Sequence, residues 1–293
     1  MKISVIIPTR GRDACLRTTL DDLTLQDYQD FDVWVVDQND VPLKDLAAHL
    51  SSHQLHHETI PPKGSHAGRN LAIKKTDAAL CVFIDDDVRI KKDFLTQHAK
   101  AHIDGAPKRI AAIAGRVIQP LDGLSDEQMR KMGSPARYNR LFGYVSGNFV
   151  GRQAAYVEHI HECNFSATTA SLRAVDGFNE NFQGNAYFEG ADLALRFIEK
   201  GFSIYYSPEI ALVHLQEPSG GNRIQQKSTH TYWYLRNYAL LNSKHMHPIG
   251  VPLFFLRSAA YVFAKAIKNR DVSVFTQGFL GLFDGLRYFS KLK

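Results

Sequence analysis

A chain of 293 residues, 44% hydrophobic and 22% charged, can bury one large core, and this composition excludes a disordered protein. The net charge of +5 is uneven: residues 244–293 hold eight Lys and Arg against two acidic residues, which leaves the remainder nearly neutral and gives no reason to expect a nucleic-acid partner. Cys15, Cys81 and Cys163 have no CxxC spacing and make a poor disulfide framework, which points to a reducing, cytoplasmic setting.

The start of the chain lacks the basic, apolar and small-residue order of a signal peptide, and 3–7 reads directly as a strand. A helix is expected over 13–25, with Leu16, Leu20 and Leu23 on one face and Asp13 at its start. Strands follow at 31–36 and 80–84, with a helix opening near Gly68 between them. This alternation predicts βαβ units and a mainly parallel sheet, whose ligands gather at the carboxyl ends of the strands. The cluster His53-Gln54-Leu55-His56-His57 lacks metal-site spacing and is expected on the surface, while 105–160 is weakly periodic. Residues 176–185 read as a loop, 188–200 as a helix ended by Gly201, and 203–207 and 211–214 as two strands on either side of Pro208. The division expected is a catalytic unit over 1–225 and a basic helical segment over 226–293. Within that segment the longest apolar run, 249–256, ends at Arg257 and falls short of the roughly 18 residues that span a bilayer. Aromatic and aliphatic residues interleaved with Lys and Arg suit helices lying on an anionic membrane surface, or an amphipathic pair packed on the catalytic unit.

The three predicted strands at 3–7, 31–36 and 80–84 end in polar residues, and the third ends in Asp85-Asp86-Asp87. Adjacent carboxylates repel and raise one another's pKa unless a cation offsets them. Hard oxygen donors in this arrangement suit Mg²⁺ or Mn²⁺ held together with substrate phosphates; the plainer alternative is a solvated acidic turn. Asp37, at the end of the second strand, can accept from a base or ribose, or can cap the next turn. Arg10, Arg12 and Arg69 offer planar donor forks for phosphate or base unless they are simply solvated. The loop Gly64-Ser65-His66-Ala67-Gly68-Arg69-Asn70 lets backbone approach a ligand closely.

Together, Val5-Ile6-Ile7-Pro8-Thr9-Arg10, Val35-Val36-Asp37, Gly68-Arg69-Asn70 and Phe83-Ile84-Asp85-Asp86-Asp87 resemble the family 2 glycosyltransferases of GT-A fold. Cys163-Asn164-Phe165-Ser166 is similar to that family's "NMSFRR" segment and Asp176-Gly177-Phe178-Asn179-Glu180 to its "GGFDE". The resemblance implies a Rossmann-like mixed sheet flanked by helices. It assigns Asp37 and Arg69 to the base, Asp86 to ribose or phosphate-side groups and Asp87 to the divalent ion, with Pro8, Thr9, Arg10, Arg12 and Asp85 completing the nucleotide set. His214 is implied at the metal or diphosphate, the plainer alternative being a strand-end histidine in a turn; the loop Pro218-Ser219-Gly220-Gly221-Asn222-Arg223 reads as mobile, with Arg223 able to close over the departing diphosphate. In the family's "ED" pair the aspartate is the base, whereas this chain reads Glu189-Gly190. Glu189 and Asp192, three residues apart, therefore remain as catalytic carboxylates, with Glu189 preferred, or both cap their helix.

The activity implied is inverting transfer of a sugar from a UDP- or dTDP-sugar to an acceptor hydroxyl with Mn²⁺ or Mg²⁺. A saccharide or lipid-linked acceptor of cell-surface polysaccharide or glycolipid synthesis fits it, with peripheral contact through 249–293 at the cytoplasmic face of the membrane. Two rivals are a nucleotidyltransferase, disfavoured by the lack of an early glycine-rich, Lys-containing phosphate loop, and a non-catalytic nucleotide-sugar-binding protein, which Gly190 would permit.

Overall fold

Ile3, Val5, Ile6 and Ile7 are all fully buried in strand β1 (Ile3–Thr9), and apolar side chains on both faces have room only inside a sheet covered on both sides. The computed structural model describes residues 1–50, 54–104, 109–119, 125, 127–128 and 136–289. After β1 come α1 (Asp13–Thr24), β2 (Phe31–Asp37), β3 (Gln54–Thr59), α2 (Ser65–Lys75), β4 (Leu80–Ile84), β5 (Val88–Ile90) and α3 (Phe94–Asp104). The chain continues through β6 (Ile110–Ile118), β7 (Arg137–Asn139), β8 (Tyr144–Ser146), β9 (Ala155–Tyr156), β10 (Asn164–Thr168) and α4 (Thr169–Ala174). It ends with α5 (Glu189–Glu199), β11 (Ser203–His214), α6 (Lys227–His245), α7 (Val251–Asn269) and α8 (Val272–Phe289).

Nine strands form one mixed sheet in the order β3-β2-β1-β4-β10-β6-β11-β5, with β9 added on β11. β1 runs parallel to β2 and β4, whereas β10 is antiparallel to both β4 and β6. The carboxyl ends of β1, β2 and β4 consequently open onto one side, where the turns carrying Arg10, Gln38 and Asp85 meet. Phe83 of β4 stacks on Phe165 of β10 at 4.4 Å between ring centroids, and Phe178 meets both edge-on.

The histidine cluster lies on the edge strand β3, with His57 exposed and His56 half-buried, as expected of a surface cluster; His56 stacks on Trp34 at 4.0 Å and His57 Nε2 lies 3.2 Å from Asp37, while His53 falls outside the described residues. Two expectations change in the folded chain. The two strands expected around Pro208 are one strand, β11, whose register with β6 shifts between Ser207 and Ala211. Proline has no N–H to give the ladder, and an irregularity of register absorbs that loss. The weakly periodic stretch contains β6, a central strand buried along most of its length, so its apolar run has no alternation to read.

The helices after 226 pack tightly on the sheet unit. Arg236 donates to the Asn181 carbonyl at 2.8 Å and Asn237 to the Gln183 carbonyl at 2.8 Å, which ties α6 to the loop before α5. α8 closes on α6 through glycines: a Cβ at Gly281 would lie 2.2 Å from the Tyr232 carbonyl oxygen, and one at Gly285 2.2 Å from Ala239 Cβ. The span expectation also needs correction. By length and composition Pro248–Asn269 is long and apolar enough to cross a membrane, and 22% of its most apolar window is buried. The helix runs on past Arg257 and recruits Ala259, Ala260, Val262 and Phe263, which a search for unbroken apolar runs leaves out.

Candidate active site

A cavity of about 780 Å³ opens at the carboxyl ends of β1, β2 and β4, the size range of a small-molecule site. Pro8, Thr9, Arg10 and Arg12 form one wall, and Gln38, Ser65 and Arg69 another. Asp85, Asp86, Glu162, Glu189 and His214 close the floor, and Arg223 faces them from the loop after β11. That loop is held by α1's leading residue: Arg12 Nε donates to the Ser219 carbonyl at 2.7 Å, and Gly221 N donates to the Arg10 carbonyl at 2.8 Å. The aromatic rim comes from beyond the sheet, where Tyr187 meets His230 and Tyr234 of α6 edge-on, each at 5.5 Å. Phe188, at the entry to α5, has a left-handed backbone (φ 74°), a costly conformation for a non-glycine residue that tends to occur at functional sites.

The three aspartates have separate environments. Asp86 accepts from Thr9 Oγ1 at 2.7 Å and Arg12 at 2.9 Å, yet burial outweighs both and pushes its carboxyl up to about 6. Asp87 is fully buried, accepts from Glu217 N at 3.0 Å, and has Arg12 at 3.1 Å and His214 Nε2 at 3.2 Å. Burial opposes its ionisation, but His214 and Arg12 together hold its carboxyl below the usual range. In turn Asp87, aided by Asp85, holds His214 above its ordinary value against the pull of burial. Asp85, the most exposed of the three, pairs with Arg69 at 3.0 Å. Arg223 stands 3.9 Å from Asp87.

Arg69 is 2% exposed and bridges two acids: one nitrogen donates to Glu189 at 2.6 Å and the other to Asp85 at 3.0 Å. Glu189 also accepts from Ser65 Oγ at 3.1 Å and faces His66 Nδ1 at 3.1 Å, so both its oxygens are engaged. A carboxylate has about four lone-pair sites, so Glu189, which lines the cavity, keeps acceptor capacity on Oε2 beyond these contacts.

Asp192 and Asp37 lie away from the cavity. Asp192 is fully buried, accepts from Arg196 at 2.7 Å and faces His245 of α6 at 3.1 Å, so it orients Arg196 and joins α5 to α6. Asp37 is also fully buried, and its carboxylate accepts from Asn39 N at 2.8 Å, Asn39 Nδ2 at 2.7 Å and Leu43 N at 2.7 Å, with His57 at 3.2 Å. Burial works against its charge, but these donors hold it below the carboxylate range. It shapes the turn after β2, and its neighbour Gln38 takes the cavity wall.

The sequence model of "Glycosyl transferase family 2" matches residues 4–164, more than half of the chain. The chain belongs to glycosyl transferase family 2. No curated protein matches it by sequence. Among solved structures it is similar to S. aureus TarS 1–349 in complex with UDP-GlcNAc (17% identity, TM-score 0.64, covering 99% of this chain and 82% of that one). It spans 39% of a longer S. aureus TarS chain, at 20% identity and TM-score 0.55. It is also similar to the mannosyltransferase PcManGT from Pyrobaculum calidifontis in complex with GDP-Man and Mn²⁺ (14% identity, TM-score 0.56, covering 99% of this chain and 87% of that one). These likenesses show the GT-A fold, with its mostly parallel central sheet and flanking helices.

Among the described residues of this family 2 chain, two groups gather possible ligand atoms, His161 with Cys163 and His214, and Asp85 with Asp87 and His214; the second offers the hard oxygens. Ligand atoms of Asp85, Asp87 and His214 lie within 4.8 Å of one another, and Asp87 Oδ1 is buried without a hydrogen-bond partner although His214 is close. Such an orphaned oxygen beside an imidazole matches the chemistry of Mn²⁺ or Mg²⁺ sites. Residue-by-residue reading of the sequence missed Glu162, Gln38, His66 and the aromatic rim. Only Glu162 had a usable signal: it is an acid two residues before Asn164 of the matched segment, in a chain that lacks the acid at 190.

Proposed function

We propose that this family 2 protein is an inverting, metal-dependent glycosyltransferase that moves a sugar from a UDP- or dTDP-sugar onto an acceptor hydroxyl. The observation that carries the reading is one cavity holding Arg10, Arg12, Arg69 and Arg223 around a buried acidic triplet at the strand ends. The TarS fragment binds UDP-GlcNAc and PcManGT binds GDP-Man with Mn²⁺, which supports a nucleotide-sugar donor here. Pro8 and Thr9 line the nucleotide side, and Asp86, fixed by Thr9 and Arg12, faces the ribose. Asp85, Asp87 and His214 would hold Mn²⁺ or Mg²⁺, which supplies Lewis-acid stabilisation of charge on the departing diphosphate. Arg10 and Arg223 add their own positive charge where that negative charge develops. Arg69 orients Asp85 and Glu189 across the floor, and Tyr187 and Tyr234 offer flat apolar faces to an acceptor sugar. A single displacement inverts the anomeric carbon.

Calorimetric titration of UDP, dTDP and GDP with Mn²⁺, and again with EDTA, tests the donor site. Metal-dependent micromolar binding of a uridine or thymidine diphosphate is the expected result. Binding without turnover over a broad acceptor panel would favour the non-catalytic reading, and pyrophosphate release from a nucleoside triphosphate would favour the nucleotidyltransferase.

The reading extends to the membrane face and a lipid-linked acceptor. Ile249, Leu256, Phe263, Ile267, Val272, Leu280 and Phe283 are exposed on and around α7 and α8, interleaved with Arg257, Lys265, Lys268 and Arg270. An apolar face edged by basic groups suits an anionic lipid surface. Lys291 and Lys293 lie outside the described residues. Flotation with phosphatidylserine vesicles, and its loss in 0.5 M salt (about a 4 Å screening length), is expected. A protein that never floats would remove the proposal.

A further inference from the structure

We propose that Glu162 is the general base of this site, receiving the acceptor proton in the place that residue 190 would serve in the family motif. The inference rests on the glycosyl-transfer reading above. Position 190 is glycine, and the space beside it is already filled by an acid from elsewhere in the chain. A Cβ added at Gly190 would lie 2.3 Å from Glu162 Oε1, and Gly190 N donates to that same oxygen at 2.7 Å. The absent side chain and the incoming carboxylate therefore occupy one volume, on the first turn of α5.

Glu162 lies just before β10 and lines the cavity together with Asp85, Asp86 and His214. Among the described residues, no other side chain hydrogen-bonds to its carboxylate, whereas Glu189 and Asp192 are engaged at both oxygens. Burial, then the charge of Glu189 beside it, holds the Glu162 carboxyl above the usual carboxylate range despite Arg69 opposite. A carboxylate with raised proton affinity is a better proton acceptor for a hydroxyl.

The step balances within the cavity. The acceptor O–H proton passes to Glu162 Oε2, and the acceptor oxygen's electron pair forms the bond to the anomeric carbon. The bond from that carbon to the diphosphate oxygen breaks, and its pair leaves with the nucleoside diphosphate.

The charged and titratable groups around Glu162 are Glu189 on α5, Arg69 on α2, Tyr187 before α5, Cys163, His159 and His161 on its own segment, and Asp85, Asp86 and His214 in the same cavity. Burial, with each ring's neighbouring histidine adding to it, keeps His159 at about 3 and His161 at about 4, so neither titrates near neutrality.

The test uses the full chain with Mn²⁺, a panel of UDP-, dTDP- and GDP-sugars, and octyl glycosides or water as acceptor, reading nucleoside diphosphate release. Glu162→Gln keeps the side-chain shape and the acceptor for Gly190 N. We expect kcat to fall by about 10²–10⁴-fold with UDP affinity held within about threefold. Glu162→Asp should retain part of the rate. A Glu162→Gln protein that keeps kcat within threefold, or that loses UDP affinity in proportion to its rate, overturns the assignment. Absence of release by the wild type with every donor, together with no diphosphate binding, instead overturns the transferase reading and takes this inference with it.

Discussion

Asp87→Asn is expected to abolish the Mn²⁺-dependent part of UDP binding and to lower turnover by about 10³-fold, the rate equivalent of several kcal/mol of charge stabilisation. Asparagine keeps the shape and can still accept from Glu217 N, now at 3.0 Å, so the loop after β11 should stay in place. What it lacks is the charge that pairs with Arg12 and His214 and the orphaned oxygen that faces the imidazole. Calorimetry with and without EDTA separates the two effects. A variant that binds UDP with the wild-type metal dependence would remove Asp87 from the cation site. Residual binding insensitive to EDTA is expected to persist, because Arg10, Arg12 and Arg223 are untouched.

Arg69→Met should destabilise the fold by about 3–5 kcal/mol, because it leaves Glu189 buried without its cation. The guanidinium is 2% exposed and lies over the Phe178 ring at 5.4 Å, so its packing depends on the phenylalanine core as well as on the two carboxylates. Combining Arg69→Met with Glu189→Gln removes the stranded charge, and the pair should recover a large part of the loss in urea unfolding. Additive losses in the double variant would mean that the ion pair is not the source of the effect. A loss below about 1 kcal/mol for Arg69→Met alone would place the pair among solvent-screened surface pairs.

Local pattern was enough wherever a residue's neighbours in sequence are also its neighbours in space. β1, β2 and β4 announce themselves as short apolar runs ending in polar turns, and the side chains at those ends, Thr9, Arg12, Asp85 and Asp86, do converge on one cavity. The helix α1 was legible because its buried face repeats every three or four residues, and α5 because its apolar positions continue up to Gly201 although it is buried nearly all round. β6 was not, since a strand buried on both faces loses its alternation, and β3 was not, since it is a polar edge strand with no buried residue to set a period.

The chain order alone determined a family 2 fold with an acidic, arginine-lined strand edge, because that chemistry sits in contiguous motifs. Which carboxylate is free to act was decided only in three dimensions. Asp37 and Glu189 occupy motif positions, yet the turn after β2 saturates the first and the Arg69–His66 pair engages the second. Glu162 stands outside the matched "ED" element, 28 residues before Gly190. A hydrogen bond across that separation exists only once the segment before β10 and the first turn of α5 have been packed together in the fold. Packing is non-directional and sums over many residues, so no single motif encodes where it sets a lone carboxylate.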